Sequence, residues 1–166
     1  MRLIVANALT ILFALTSCNK KEEASIDALR EQIINLGISR DIKEMSALGE
    51  DDASAIFNII GKINDNFSQL KTAGLPDDLK TAIQTVQKAF SDMENTMSSG
   101  PIPIDILIGG EAKMAEWLAD PSFAAKIMPE ITRWAEEMGD WEERSEQVDK
   151  LTNPVFIKYK IPLGLE

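Results

Sequence analysis

The sequence predicts a mainly α fold: an irregular helical bundle with a central antiparallel helical hairpin and at most a minor two-stranded β element. Three observations lead to this prediction. Apolar residues recur at helical spacing along most of the 166 residues. A Gly-Leu-Pro break separates the two clearest helical patterns, and period-two alternation is confined to two short segments.

The first helix is predicted from four apolar residues at helical spacing, Ile26, Leu29, Ile33 and Leu36. Gly37 is a suitable stop for it. Ser39 is placed to cap a shorter helix from Arg40 to Leu48, which Gly49 would close.

The central hairpin is predicted from two longer rows, which repeat at steps of three and four residues: Ile56, Ile60, Ile63, Phe67 and Leu70, then Leu79, Ile83, Val86, Phe90, Met93 and Met97. Between the rows, Gly74 suits the end of one helix and Pro76 the first turn of the next. Asp77 and Asp78 complement the N-terminal dipole of that second helix.

Two segments alternate with period two and are predicted to be extended. They are Ile102 to Ile108, after Gly100, and Val155 to Ile161 near the C-terminus. They are able to pair as a small ribbon, although the neighbouring prolines would make them edges or loops. Alternatively, the first segment is an exposed apolar loop that inserts into a partner.

Three helices are predicted between these segments, at 111–119, 121–138 and 141–151. Asp120 precedes a proline, and Asp140 begins a pattern that resembles a capping box. Pro129 is expected to divide or kink the middle helix.

The N-terminus has the three parts of an export signal. Arg2 is followed by the apolar run Leu3 to Leu15, which is shorter than the roughly 20 residues of a membrane span. The end of the run, Leu15-Thr16-Ser17-Cys18, resembles the lipobox of bacterial lipoproteins. The alternative is a buried N-terminal helix with an incidental cysteine.

The resemblance implies cleavage between Ser17 and Cys18 and lipidation of Cys18, the only cysteine. The chain would then comprise a signal peptide at 1–17, a lipidated tether at 18–25 and one domain at 26–166. An inner-membrane retention signal carries Asp at the position after the lipidated cysteine, whereas this sequence has Asn19. The difference favours the outer membrane. Lys21-Glu22-Glu23 also resembles a surface-export signal of some Bacteroidetes lipoproteins, or is simply a solvated tether.

Net charge narrows the classes of partner. Removal of Arg2 with the signal peptide leaves 16 of the 17 basic residues against all 27 acidic residues, a formal charge of −11. This charge argues against nucleic acid and against electrostatic binding to anionic lipid, and it favours a basic protein partner. The other interpretation is that the charge serves solubility.

The sequence offers no catalytic or metal-binding signature. It contains no histidine, which excludes His-based acid–base catalysis and histidine-ligated zinc. Its acidic clusters, Glu50-Asp51-Asp52 and Asp77-Asp78, precede predicted helices and lack the pattern of a calcium loop. We therefore expect no enzyme activity, no cofactor and no metal site.

One segment, Trp134 to Asp149, combines aromatic and acidic residues. Tryptophan is enriched in binding hot spots, and a ring of acids would suit a cationic partner. The candidate partner-binding residues are Trp134, Glu137, Trp141 and Glu142. The alternative is that the tryptophans face the core and the acids form an ordinary wet face. Trp117 is expected in the core.

These observations favour a lipid-anchored, non-enzymatic protein-binding module of the bacterial envelope, of which an immunity-type or exclusion-type lipoprotein is one version. The alternatives are a structural or assembly lipoprotein of an envelope complex and, less favoured, a carboxylate-based cell-wall hydrolase.

Overall fold

The computed structural model describes residues 20–48, 53–107 and 109–163. These residues form helices and no strand. The helices are α1 (residues 20–35), α2 (Ile38–Ser46), α3 (Ala53–Ser68), α4 (Asp77–Ser98), α5 (Ile104–Leu107), α6 (Gly110–Trp117) and α7 (Pro121–Tyr159). The prediction of a mainly α bundle is confirmed.

The central hairpin is formed by α3 and α4, as predicted. The rings of Phe67 and Phe90 stack with centroids 6.1 Å apart. Asn64, three residues before Phe67, donates a hydrogen bond to Glu94, four residues after Phe90, so the two helices run antiparallel. Gly74 has a left-handed φ of 81° in the connecting loop, a conformation that glycine adopts without strain.

α7 packs antiparallel to α4. At one end, Lys158 Nζ lies 2.7 Å from a carboxylate oxygen of Asp78. At the other end, the indole N–H of Trp134 donates to the carbonyl oxygen of Thr96 at 2.8 Å. Gly100 allows this close approach, because a Cβ there would lie 2.6 Å from the Trp134 ring.

α1 and α2 cover one end of this three-helix unit. The core there consists of apolar side chains that are less than a tenth exposed: Leu29, Ile33, Ile38, Ile63, Phe67, Leu79, Ile83 and Phe156. The Arg30 guanidinium donates to the carbonyl oxygen of Tyr159, which ties α1 to the end of α7. Ile161 and Leu163 then fold back into the core.

Asp41 is a buried charged residue that links α2 to α3. Only 1% of it is exposed, and its Oδ1 lies 2.9 Å from Lys62 Nζ and 3.1 Å from Arg40 Nη2. Its Oδ2 has no hydrogen-bond partner among the described residues. A buried carboxylate needs compensation, which Arg40 supplies from α2 itself and Lys62 from α3, so the Asp41–Lys62 ion pair links the two helices.

α7 is much longer than its partner. Its 39 residues span about 58 Å, whereas the 22 residues of α4 span about 33 Å. Residues 121–133 therefore extend past the end of α4, where α5 and α6 lie. None of the described residues of α5 or α6 is fully buried, and Trp117, expected in the core, is half-buried against Phe123.

The structure corrects both predicted extended segments. Residues 104–107 form α5, and residues 155–159 belong to α7; no ribbon pairs them. In the second segment the alternation did not mark a buried face, because Ile157 is 75% exposed while Phe156 is buried.

Several predicted helix boundaries are also wrong. The predicted helices at 121–138 and 141–151 are one continuous helix, so Asp140 begins no helix and the chain remains helical through Pro129. Asp120 does cap α7, since its side chain accepts from the backbone N–H groups of Ser122 and Phe123. Ser39 lies inside α2 and contacts the carbonyl oxygen of Pro162. α1 is already helical from residue 20, within the predicted tether.

Candidate functional site

The lipidation and cleavage residues, Ser17 and Cys18, lie outside the described residues, as do Glu50, Asp51 and Asp52. The described chain begins two residues after Cys18. Within it, no helix is both long and apolar enough to cross a membrane.

The two tryptophans proposed as binding residues both contribute to packing. Trp134 is half-buried and uses its indole N–H in the bond to Thr96. Trp141 is only 9% exposed, and the guanidinium of Arg144 lies 5.2 Å from its ring centroid. This geometry favours the packing alternative for the two rings.

The acidic candidates face solvent where their side chains are described. Glu137 is exposed, whereas the side chain of Glu142 is outside the description. Three other carboxylates of α7, those of Glu130, Glu136 and Asp140, are also exposed. Like Glu137, they form no hydrogen bond or ion pair with any described residue. The middle of α7 therefore presents four unpaired negative charges.

A row of half-exposed apolar residues lies next to two of these charges, those of Glu130 and Glu137, whereas Glu136 and Asp140 lie on the opposite side of the helix. Phe123, Ile127 and Ile131 follow at steps of four residues along the part of α7 that extends past α4. Met128 beside them is 45% exposed. The described residues of α5 and α6 leave this row only partly covered.

A cavity of about 360 Å³ lies between α2, α4 and α7. Its apolar wall comprises Ile42, Met45, Val86, Ala89, Phe90, Met93, Trp141, Val148, Phe156 and Leu163. Its polar wall comprises Ser46, Ser145, Asp149, Thr152 and Asn153. Ser46 and Ser145 are exposed, so the cavity reaches the surface beside them.

The polar side chains of α7 line one edge of this cavity. Ser145, Asp149 and Asn153 are four residues apart, which aligns them along one face of the helix. Burial raises the pKa of the Asp149 carboxyl, because the charged form is less well solvated there. Asp149 has no hydrogen-bond or ion-pair partner among the described residues.

The indole N–H of Trp141 is a second polar group at the cavity without a partner among the described residues. The nitrogen is buried and has no hydrogen-bond partner in the described part of the chain. Most buried donors in proteins are hydrogen-bonded, so an unpaired one beside a cavity is unusual.

Sequence reasoning missed the cavity. The spacing of Ser145, Asp149 and Asn153 was a local signal for a polar row on α7. The opposite wall comes from α2 and α4, however, and the distance between those helices is not encoded in any local pattern. Among the described residues, no three His, Cys, Asp or Glu side chains are grouped so that they could hold a metal ion.

Comparisons of the chain with protein-family models, with curated proteins and with solved structures found no match. The candidate site therefore has to be interpreted from its own geometry.

Proposed function

We propose that this chain is a lipid-anchored lipoprotein of a bacterial cell envelope that acts as a non-enzymatic protein-binding module. The lipid on Cys18 attaches it to the membrane, with the outer membrane favoured over the inner membrane. The N-terminal half of α7 binds a basic partner protein.

The observation that carries this proposal is the surface of α7 between Phe123 and Glu137. A half-exposed apolar row lies there beside two unpaired carboxylates, those of Glu130 and Glu137. Protein interfaces combine an apolar centre with a polar rim, and complementary charge speeds association with the correct partner. A cationic partner with an apolar patch matches both features.

We move the proposed contact residues along α7. Trp134 and Trp141 support the helix from its inner side, so we assign direct contact to exposed residues instead. Glu137 remains a candidate, joined by Met128 and Glu130, all of which are exposed.

A charge-reversal experiment tests the proposal. The tagged full chain is expressed in a bacterial host that lipidates it, and its complexes are crosslinked and isolated from the envelope. The double variant Glu130→Lys with Glu137→Lys should lose the partner, with at least a tenfold weaker interaction expected from reversal of charges at an interface.

The matched control reverses two exposed carboxylates elsewhere, Glu31 on α1 and Glu44 on α2, which also have no described partner. This control changes the net charge equally and should keep the partner. Equal loss in both variants would show that only the overall charge matters, and no loss in either would refute the α7 site.

The same isolation separates the binding role from an assembly role. A single basic protein in equal amount supports an immunity-type or exclusion-type function, whereas recovery within a large membrane complex supports a structural lipoprotein. In parallel, Cys18→Ser should yield a chain without lipid; full lipidation of that variant would contradict the anchor.

A further inference from the structure

We propose that the cavity between α2, α4 and α7 binds one small cationic amphiphile, an alkyl chain with a protonated primary amine, and that the amine pairs with Asp149. This site is separate from the partner surface of α7, and the inference does not depend on the proposed function.

The size and the wall of the cavity define the apolar part of the ligand. A volume of about 360 Å³ lies within the range of roughly 300–1,000 Å³ that is usual for small-molecule pockets. Val86, Phe90, Met93, Val148 and Phe156 contribute an apolar lining from both α4 and α7. A narrow alkyl chain gains free energy there by leaving water.

The polar edge defines the charge of the ligand. Asp149 is a partly desolvated carboxylate without a described partner, and its raised pKa reflects the cost of that desolvation. An ammonium group beside it would offset this cost through a charge-assisted hydrogen bond. A fatty carboxylate would instead be repelled by the same group.

Neighbouring cations leave Asp149 available. Lys150 pairs with Glu146 at 3.0 Å, and the Arg144 guanidinium lies over the Trp141 ring. Neither forms an ion pair with Asp149 among the contacts of the described residues. Asn153 is the next polar side chain along the same edge and is placed to accept a second hydrogen bond from the amine.

The test measures binding by calorimetry with three probes of equal chain length: decylammonium, decanol and decanoate. The protein is the full chain carrying Cys18→Ser, so that no attached lipid competes. Decylammonium should bind at least about tenfold more tightly than decanol, as expected for a hydrogen bond to a charged group. Decanoate should bind most weakly.

Substitutions identify the site. Asp149→Asn should remove the preference for decylammonium and leave decanol binding unchanged. Asp140→Asn, a change of the same kind at an exposed position outside the cavity, should retain the preference. If the Asp149→Asn variant kept the full preference for decylammonium over decanol, the proposal would be overturned. Failure of decylammonium to bind the protein with Asp149 intact would also overturn it.

Two further variants test the apolar wall. Ala89→Leu reduces the cavity volume, and Ser46→Trp covers its rim from an exposed position, where folding is not at risk. Both should weaken all three probes. If circular dichroism shows that Ala89→Leu is unfolded, the Ser46→Trp variant alone tests the cavity. Unchanged binding of the probes to the Ser46→Trp variant would mean that they bind elsewhere.

Discussion

Three aspartates show how the local environment of a carboxyl group raises or lowers its pKa. Burial beside the cavity raises the pKa of Asp149. The pKa of Asp120 is lowered by the backbone N–H groups of Ser122 and Phe123 at the start of α7. The pKa of Asp78 is lowered chiefly by its hydrogen bond with Lys158. The last two stabilise the fold in their charged form, whereas Asp149 does not.

Asp78 provides a pH-dependent link between the start of α4 and the end of α7. Its carboxylate accepts from Lys158 at 2.7 Å and from the Tyr159 hydroxyl at 2.9 Å. Because its pKa is lower in the folded than in the unfolded chain, its contribution is complete above the unfolded pKa. The contribution is lost as the pH falls through the folded pKa.

Asp78→Asn should therefore lower Tm at neutral pH, and the difference from the unsubstituted protein should shrink in acid. The effect is small, since Asp78 and Lys158 are exposed to solvent that screens them. Thermal unfolding followed by circular dichroism over a pH series measures it. Asp77→Asn is the control, because Asp77 pairs only with Lys80 on its own helix. A constant difference at all pH values would rule out the ion pair as the cause.

At the scale of the element, α7 shows what local patterns predicted and what they did not. Val148, Thr152, Phe156 and Tyr159 follow one another at steps of three and four, and this helical row, rather than the alternating one, faces the bundle. Pro154 lies inside this helix. Packing against α4 outweighs the local cost of that proline, and the sequence alone does not show which of two overlapping periods is buried.

The hairpin was predictable because its signals agree. Two long helical rows flank Gly74 and Pro76, and the acids after the proline match the dipole of α4. The conformation of the segment after Gly100 was not predictable, because four alternating isoleucines carry little information about secondary structure. Ile102 is buried, while Ile104 begins α5 and is 40% exposed. The distance between α2, α4 and α7, on which the cavity depends, likewise arises only from tertiary packing.

Pro129 makes the projecting half of α7 weaker than an uninterrupted helix. A proline within a helix donates no backbone hydrogen bond and costs up to about 3 kcal/mol relative to alanine. Pro129 is exposed, so its replacement disturbs no core packing. Pro129→Ala should lower the hydrogen-exchange rates of the amides near residues 125–133, with little change at α3. Faster exchange in that segment would contradict the structural role assigned to Pro129.

At the scale of the whole molecule, the first described turns of α1 and the proposed partner surface lie at opposite ends. Ser25 of α1 lies against Gly74 in the hairpin loop, since a Cβ on that glycine would be 2.7 Å from the Ser25 hydroxyl. The end of α7 reaches the same region, where Lys158 meets Asp78. α7 then runs away from this end for about 58 Å to Pro121. A lipid on Cys18, two residues before the described part of α1, would thus direct the surface of Phe123 to Glu137 away from the membrane.

This orientation can be measured with a fluorophore on a single added cysteine, because a lipidated Cys18 has no free thiol. In vesicles that contain headgroup quenchers, a label at Lys71→Cys beside the hairpin loop should be quenched strongly. A label at Ala125→Cys on the projecting part of α7 should be quenched weakly. Both positions are exposed, so labelling leaves the core intact. The control is the mature chain that begins at position 18, expressed without its signal peptide and carrying Cys18→Ser. Because it has no lipid, neither label should be quenched. Equal quenching of the two labels on the lipidated protein would mean that α7 lies along the membrane, where its carboxylates would face the lipid rather than a partner.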